Sequence, residues 1–465
     1  MPTMAFQCSY YLEPVDTRDL PRRFLEAFAA ILAHSNYGPV LDTVSRISAH
    51  CARCATTCPV YQASGEPRDI PCQRSELLLA IYRRYFTLAG AIRARAGTAF
   101  ELTEGYINTL AEEVYRCTAC RRCKLECPLG IDHGMITHLA RWILAEVGIV
   151  PKALRVATRE QLEGKTHNTS AIPAAAMQDT CEFLVEDCRD TYGMAISFPI
   201  DVEGAEYVFF PAVSDYLLEP DTLMGNAAVL TATGASWTIG SQYFDGINYG
   251  LFYSDRMLDR IVSMEAAEVR RLKAEKVLIG ECGHASRSAK FFIKTFCGGR
   301  AAPPVVNIME YTLQALRAGK LELRPGAIDA RVTYHDPCNI ARSGWIIDQP
   351  REILRAICAE YVDMSPKGRE NYCCGGGGGT VSIDEIRAFR TGVGGATKAE
   401  QIRRTGATVV VAPCANCKKQ LREVCEDHGL GHVQVVGLHD LVLKAIVPPP
   451  AMQVAPPDGP GQSGA

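Results

Sequence analysis

Residues 17–34, DTRDLPRRFLEAFAAILA, set an Asp and a Pro ahead of apolar residues at helical spacing, which predicts an amphipathic helix. The same spacing recurs in SELLLAIYRRYFTLAGAI, LTEGYINTLAEEVYRC and LARWILAEVG, so the first third of the chain reads as helical. Through residues 150–200 the pattern loosens into polar stretches such as EGKTHNTSAIP, which predicts a linking region. From about residue 205, short β-rich apolar runs (YVFFPAV, KVLIGE, RVTYHDP, TVVVAP) alternate with helical ones (MEAAEVRRLKAE, QPREILRAICAEY, DEIRAFRTGVG). That alternation predicts α/β structure, with small parallel sheets flanked by helices. The final stretch, VPPPAMQVAPPDGPGQSGA, is rich in Pro and Gly and reads as disordered.

An internal repeat runs through the α/β part at an offset of about 130 residues. KVLIGECGHA around Cys282 parallels TVVVAPCANC around Cys414, QYFDG parallels NYCCG, and FFPAV parallels YHDPC. The expected division is a helical lead-in over 1–45, a helical cysteine-bearing domain over 46–148 and a link over 149–204. A first α/β unit over 205–325, a second over 326–446 and a tail over 447–465 complete it.

At 465 residues the chain is long enough for several domains. A formal net charge of -3 does not suit a grip on polyanions, so nucleic acid is not an expected partner. No apolar run reaches the ~18–20 residues that span a bilayer, so no direct membrane span is expected. Composition is unusual in one respect: there are twenty cysteines behind a start, MPTMAFQCSYYLEP, that lacks the pattern of a signal peptide. The expected location is therefore cytoplasmic, with any approach to the inner face of the membrane made through a partner. Reduced cysteines at short spacings read as metal or redox ligands rather than as a disulfide framework.

Cys117, Cys120, Cys123 and Cys127-Pro128 form C-x2-C-x2-C-x3-C-P, which is the bacterial ferredoxin run for [4Fe–4S] clusters. A zinc site would fit two Cys-x2-Cys pairs, but not four cysteines ending in Cys-Pro. Cys51, Cys54 and Cys58-Pro59 repeat the last three cysteines of that run, with Ser48 in the first position. In two-cluster ferredoxins the fourth cysteine of each run serves the other cluster. By that exchange Cys117, Cys120, Cys123 and Cys58 form one set, and Cys51, Cys54 and Cys127 form three corners of another. Cys72 is the candidate fourth ligand, against Ser48, His50, a three-iron cluster or a plain buried thiol. Arg53, Arg121, Arg122 and Lys124 nearby read as solvated surface.

Cys338, the pair Cys373-Cys374, and Cys414 with Cys417 are spread along the second α/β unit, near the ends of predicted strands. Ligands in parallel α/β sheets bind at the carboxyl ends of strands, so five thiols there make a plausible metal pocket. A structural zinc or a redox dithiol is the plainer alternative. Gly375, Gly376 and Gly377 open a five-glycine run that allows backbone amides to approach an anionic cluster.

This constellation resembles the CCG domain of heterodisulfide reductases, and with the two cysteine runs before it the chain resembles their D subunit. The stretches GEPRDIP, ECGHA and FDGINYGLF place the resemblance nearest the branch that holds the cytoplasmic iron–sulfur subunit of the sulfite-reductase-associated membrane complex. The resemblance implies a helical two-[4Fe–4S] ferredoxin-like domain followed by two tandem CCG-type α/β units. It also implies two [4Fe–4S] cubane clusters and one C-terminal non-cubane [4Fe–4S] cluster on Cys338, Cys373, Cys374, Cys414 and Cys417. The expected function is electron transfer within a redox complex, with reduction of a disulfide or a pure relay as the two forms of it. Partners would be other redox subunits: a membrane quinone-linked cytochrome, a flavoprotein or a sulfur-carrier protein. No dinucleotide fingerprint or phosphate loop occurs, so neither flavin nor NAD is expected in this chain. The first unit departs from the CCG pattern, with Ala212, Phe244, Asp245 and Ala285 where cysteines belong. Cys282 survives there, and with His284 it is either a candidate thiol and proton donor for the C-terminal site or plain packing at a strand end.

Overall fold

The computed structural model describes residues 3–4, 15–98, 100–297 and 302–454. In its N-terminal part, the helix Leu20–Ala33 buries Leu20, Phe24, Phe28 and Ile31, the stripe that its apolar spacing predicts. It packs with helices Tyr37–Ile47, Pro71–Tyr85, Glu104–Tyr115 and His133–Glu146. The two cysteine runs lie in the loops and short turns that these helices hold.

The α/β part contains two four-stranded sheets, parallel throughout. The first has β1 (Tyr207–Phe210), β2 (Trp237–Thr238), β3 (Lys276–Ile279) and β4 (Val305–Asn307), in the order β2-β1-β3-β4. The second has β5 (Ile328–Tyr334), β6 (Cys358–Asp363), β7 (Val409–Val411) and β8 (Gln434–Val436), in the order β6-β5-β7-β8. The orders are equivalent strand for strand, so the repeat in sequence is a repeat in topology. All of β1 and β7 is buried, as expected of parallel strands covered on both faces.

Helices Pro220–Ala232 and Leu438–Ala445 pack across the boundary between the units. Gly225 permits this approach, because a Cβ there would lie 2.1 Å from the His439 carbonyl oxygen. Glu281, at the end of β3, accepts hydrogen bonds from the N–H groups of Leu438 and His439, at 3.0 and 2.6 Å. The loop after β3 is thus tied to the chain after β8, and Ala415 N–H, after β7, donates to the Glu281 carbonyl at 3.2 Å.

Three expectations from sequence need correction. The region read as a loose link holds two helices, Lys152–Glu163 and Ala174–Tyr192, because its apolar positions Leu154, Met177, Cys181, Leu184 and Cys188 find partners only in the folded chain. QPREILRAICAEY is not one helix: it turns at Cys358 from a helix into β6. The tail is ordered through residue 454, where Met452 is buried and Gln453 pairs with Met194; the remainder lies outside the described residues.

Candidate metal centres

The two N-terminal cysteine runs share one backbone design. Ala52 and Arg121, at matching places in Cys-x2-Cys, both adopt positive φ, 55° and 61°. Cys58 and Cys127, each before a proline, have φ/ψ of -74°/115° and -74°/116°. These left-handed residues turn each loop back on itself, at a cost that non-glycine residues bear only where the fold enforces it.

Thiols from the two runs interleave. Cys51, Cys54, Cys72 and Cys127 line one small cavity, together with Ser48 and His50. Cys58, Cys117, Cys120 and Cys123 line a second. Cys72 enters from the start of helix Pro71–Tyr85 and meets Cys54; that contact pushes Cys72 down to about 6 and Cys54 up. The turn that delivers Cys72 is GEPRDIP, whose Asp69 is fully buried. Arg116 Nε and Nη2 donate to the Asp69 carboxylate at 2.9 and 2.8 Å, and Ser64 Oγ donates at 2.7 Å. Arg74, itself buried, also contacts Asp69 and lines the second cavity, so positive charge stands beside the thiols of Cys58 and Cys117.

At the C-terminal site, Cys338 follows β5, Cys414 and Cys417 follow β7, and Cys373-Cys374 lie in the loop after β6. All five are buried. The His335–Asp336–Pro337 turn locks this arrangement. Arg351 donates twice to the Asp336 carboxylate, at 2.8 and 2.7 Å; Gly368 N–H donates to it at 2.8 Å, and Asn371 Nδ2 donates to the Asp336 carbonyl at 2.5 Å. Cys374 and Cys417 have their Sγ atoms 3.4 Å apart, and Gly375 N–H points at Cys373 Sγ, 3.4 Å away.

The glycine run has a second role that spacing alone does not suggest. A Cβ on Gly377 would lie 2.4 Å from the Thr118 carbonyl oxygen, so the run also admits the N-terminal cysteine loop against the C-terminal site. Cys120 accordingly packs against Cys373. Three guanidinium groups fasten this junction. Arg141 donates to the carbonyls of Cys117 and Gly378, at 2.6 and 2.7 Å. Arg342 donates to the carbonyls of Cys120 and Asn371, at 2.7 and 2.6 Å. Arg122 donates to the Glu370 carbonyl at 2.6 Å and covers the ring of Tyr372 at 4.0 Å. Arg122 is therefore a correction: it is buried in the junction instead of solvated.

Cys282 and His284, at the end of β3, reach the same place from the first unit. Cys282 is fully buried, with its Sγ 3.2 Å from His284 Nδ1. It also contacts Cys414, whose thiol is held well below its ordinary value by Cys282 first and Cys417 second. Sequence reasoning passes over His335. It is fully buried, its two ring nitrogens have no hydrogen-bond partner among the described residues, and one ring nitrogen and the sulfurs of Cys374 and Cys417 lie within 4.8 Å of one another. Its place three residues before Cys338 is the one signal the sequence offers. Of the remaining cysteines, Cys181, Cys188, Cys297, Cys358 and Cys425 are free thiols outside these cavities, and Cys8 lies outside the described residues.

The donor set fits iron–sulfur groups. The described cysteines are all free thiols, thirteen of them gather in three places, and backbone N–H groups such as Ala119 N, 3.3 Å from Cys117 Sγ, face the sulfurs. Residues 49–131 match the family model of the 4Fe-4S dicluster domain, and residues 332–422 match that of the CCG cysteine-rich domain. Fold and site together define an iron–sulfur electron-transfer protein.

The chain is homologous to the Hdr-like menaquinol oxidoreductase iron–sulfur subunits and to the D subunits of heterodisulfide reductases. It is 28% identical over 448 residues to Hdr-like menaquinol oxidoreductase iron-sulfur subunit 2 of Archaeoglobus fulgidus, covering 86% of this chain and 79% of that one. It is 24% identical over 386 residues to the D subunit of the dihydromethanophenazine:CoB–CoM heterodisulfide reductase of Methanosarcina barkeri, covering 80% and 87%. The B subunit of the CoM/CoB fumarate reductase of Methanothermobacter marburgensis is 25% identical over 398 residues, covering 84% and 70%. Among the described residues no helix is long and apolar enough to cross a membrane.

Proposed function

We propose that the chain is the electron-transfer subunit of a redox complex, with three metal sites in series. Cys51, Cys54, Cys72 and Cys127 hold one [4Fe–4S] cubane, and Cys58, Cys117, Cys120 and Cys123 hold the other. Cys338, Cys373, Cys374, Cys414 and Cys417 hold a non-cubane [4Fe–4S] group, with Gly375, Gly376 and Gly377 at its edge. When bound, these groups supply one-electron redox chemistry. The observation that carries the reading is the packing of Cys120 against Cys373. Electron tunnelling weakens steeply with distance, and this contact makes the step between domains short.

The protein's own residues set the conditions for that step. Arg122, Arg141 and Arg342 fix the two cysteine loops against each other, and burial of the junction excludes water. Cys51, by contrast, is exposed, which makes its site the place for a redox partner to dock. A quinone-linked membrane cytochrome, a flavoprotein or a sulfur carrier would meet the chain there, at the inner face of the membrane in the first case. At the opposite end, Cys282 and His284 supply a thiol and a proton donor for reduction of a disulfide, as the names of the heterodisulfide reductase relatives suggest.

A second reading, a pure relay, is favoured by the enclosure of the C-terminal site: its five cysteines, Cys282 and His284 are all buried. Anaerobic preparation tests the main proposal: roughly twelve irons per chain are expected from the ligand count, and stoichiometric zinc with little iron would overturn it. Turnover of small disulfides by the chain supplied with a chemical reductant separates the two readings; none is expected of a relay.

A further inference from the structure

A cavity of about 480 Å³ holds no cysteine but adjoins two of the cysteine cavities, between helices Tyr37–Ile47 and His133–Glu146 and the segment 251–296. Its walls carry Tyr37, Trp142, Phe252 and Phe296, with Arg121, Arg287 and the carbonyl-bound Arg141 as cationic groups. An apolar lining with a few converging polar groups, in the range of about 300–1,000 Å³, is the usual form of a small-molecule site.

Arg287 decides what kind of molecule fits. It belongs to the helix Gly283–Phe296, is only 8% exposed and makes no ion pair among the described residues. Its Nη1 donates to Asn339 Oδ1 at 3.2 Å, a neutral partner. Burial, and the neighbouring Arg121 after it, push Arg287 down to about 9. Arg121 forms an ion pair with Asp132 at 3.5 Å, whereas Asp132 and the Cys338 thiol act on Arg287 only at a distance, without a direct ion pair. The carboxylate in the wall, Asp255, is engaged by His138 Nε2 at 2.8 Å and by the Tyr37 hydroxyl at 3.0 Å, and it acts on Arg287 without a direct ion pair. A buried cation without a direct ion pair is costly, and an anion entering the cavity would relieve that cost.

We propose that this cavity binds a small organic anion, its carboxylate or sulfonate on Arg287 and Arg121 and its apolar body between Tyr37, Trp142 and Phe296. Guanidinium groups suit such heads because they offer planar, paired donors. The bound molecule would touch both redox domains. Arg121 belongs to the loop of Cys120 and Cys123, Asn339 follows Cys338, and Phe252 lines both this cavity and the C-terminal cysteine pocket.

The test is anaerobic titration calorimetry of the intact, cluster-loaded protein with 8-anilinonaphthalene-1-sulfonate, using the neutral N-phenyl-1-naphthylamine as control. One site is expected, with Kd on the order of 10 µM, and the neutral analogue should bind at least about tenfold more weakly by loss of the charge-assisted hydrogen bonds. Arg287→Gln should weaken the sulfonate about tenfold or more and leave the neutral analogue unchanged, while Arg287→Lys should fall between. Thr295→Trp, at the exposed rim of the cavity, should block both probes without touching Arg287. That variant decides the matter if Arg287→Gln loses iron. Absence of sulfonate binding, equal binding of both probes, or binding indifferent to Thr295→Trp would overturn the proposal.

Discussion

The two α/β units have the same strand order and opposite contents at the same place. In the second unit, the loops after β5, β6 and β7 bring five thiols together, four of them around a small cavity. In the first, the corresponding positions form a packed plug. Ala212 is fully buried, and Phe244 sits edge-on against Tyr216 at 5.7 Å. Asp245 replaces a thiol with a carboxylate that accepts from Ile247 N–H at 2.7 Å and from Thr169 N–H and Oγ1–H at 2.8 Å each. Thr169 comes from the segment that joins the domains, as does Gln161, whose amide donates to the Ile247 carbonyl at 2.6 Å. The connecting chain thus fills the first unit's site, whereas the N-terminal cysteine loop abuts the second. In the function proposed above, one scaffold serves as support in one copy and as an electron carrier in the other, according to what its strand-end loops are given to hold.

The largest expected difference between the copies follows from removing one anchor in each. Cys373→Ser or Cys374→Ser should abolish the C-terminal EPR signal, leave both N-terminal signals, and cut electron delivery to the physiological acceptor by orders of magnitude. Retention of all iron and normal transfer would reduce the Gly-rich pair to a turn. Next in size, Cys72→Ser should remove only the cluster shared with Cys51 and Cys54, about a third of the iron. Full iron content and two unchanged cubane signals would make Ser48 or His50 the ligand to examine, since both line the same cavity.

In the first unit the matching change should appear as stability, not as iron. Asp245→Ala leaves several buried N–H donors unpaired and should cost about 2–4 kcal/mol in denaturant melts, with every cluster intact. Burial pushes the Asp245 carboxyl up to about 6. Its unfolded value is roughly 4, so folding favours the protonated form. The stability this group contributes is present below about pH 4 and is lost as pH rises through 6, by up to about 3 kcal/mol. The alanine variant should lack that slope between pH 4 and 6. Loss of iron in Asp245→Ala would show that the first unit also holds metal, and the contrast between the copies would fail.

Much of this is legible in the chain alone. Cysteine spacing announces the three thiol groups, because short motifs fix local geometry, and the 130-residue offset announces the repeated sheet. What stays hidden depends on tertiary partners. β6 follows its helix without a Gly or Pro to mark the change, so periodicity runs the two together. Arg122 looks like a surface charge in sequence, and its burial, like that of Arg141, is intelligible only once the carbonyls of Glu370, Gly378 and Cys117 are placed around the two. His335 offers only its place three residues before Cys338, because what singles it out is its approach to Cys374 and Cys417 in other loops.

Cys282 should give the smallest effect, and it bears directly on the comparison. It is the one thiol of the repeated pattern left in the first unit, yet it faces Cys414 of the second. Cys282→Ala removes a thiol that stands 3.2 Å from His284 and that, with Cys417, holds the Cys414 thiol well below its ordinary value. With Cys414 still present, iron content should stay at the wild-type level, and the C-terminal EPR signal should shift modestly because one sulfur loses a neighbouring donor. Electron transfer to a chemical acceptor should remain close to normal. If disulfide turnover nevertheless falls sharply while every cluster remains, the thiol takes part in the reaction, and the first unit is more than a support: it lends its last cysteine to the site of its twin. If neither the signal nor turnover changes, Cys282 is packing at a strand end, and the division between a supporting copy and a conducting copy is complete.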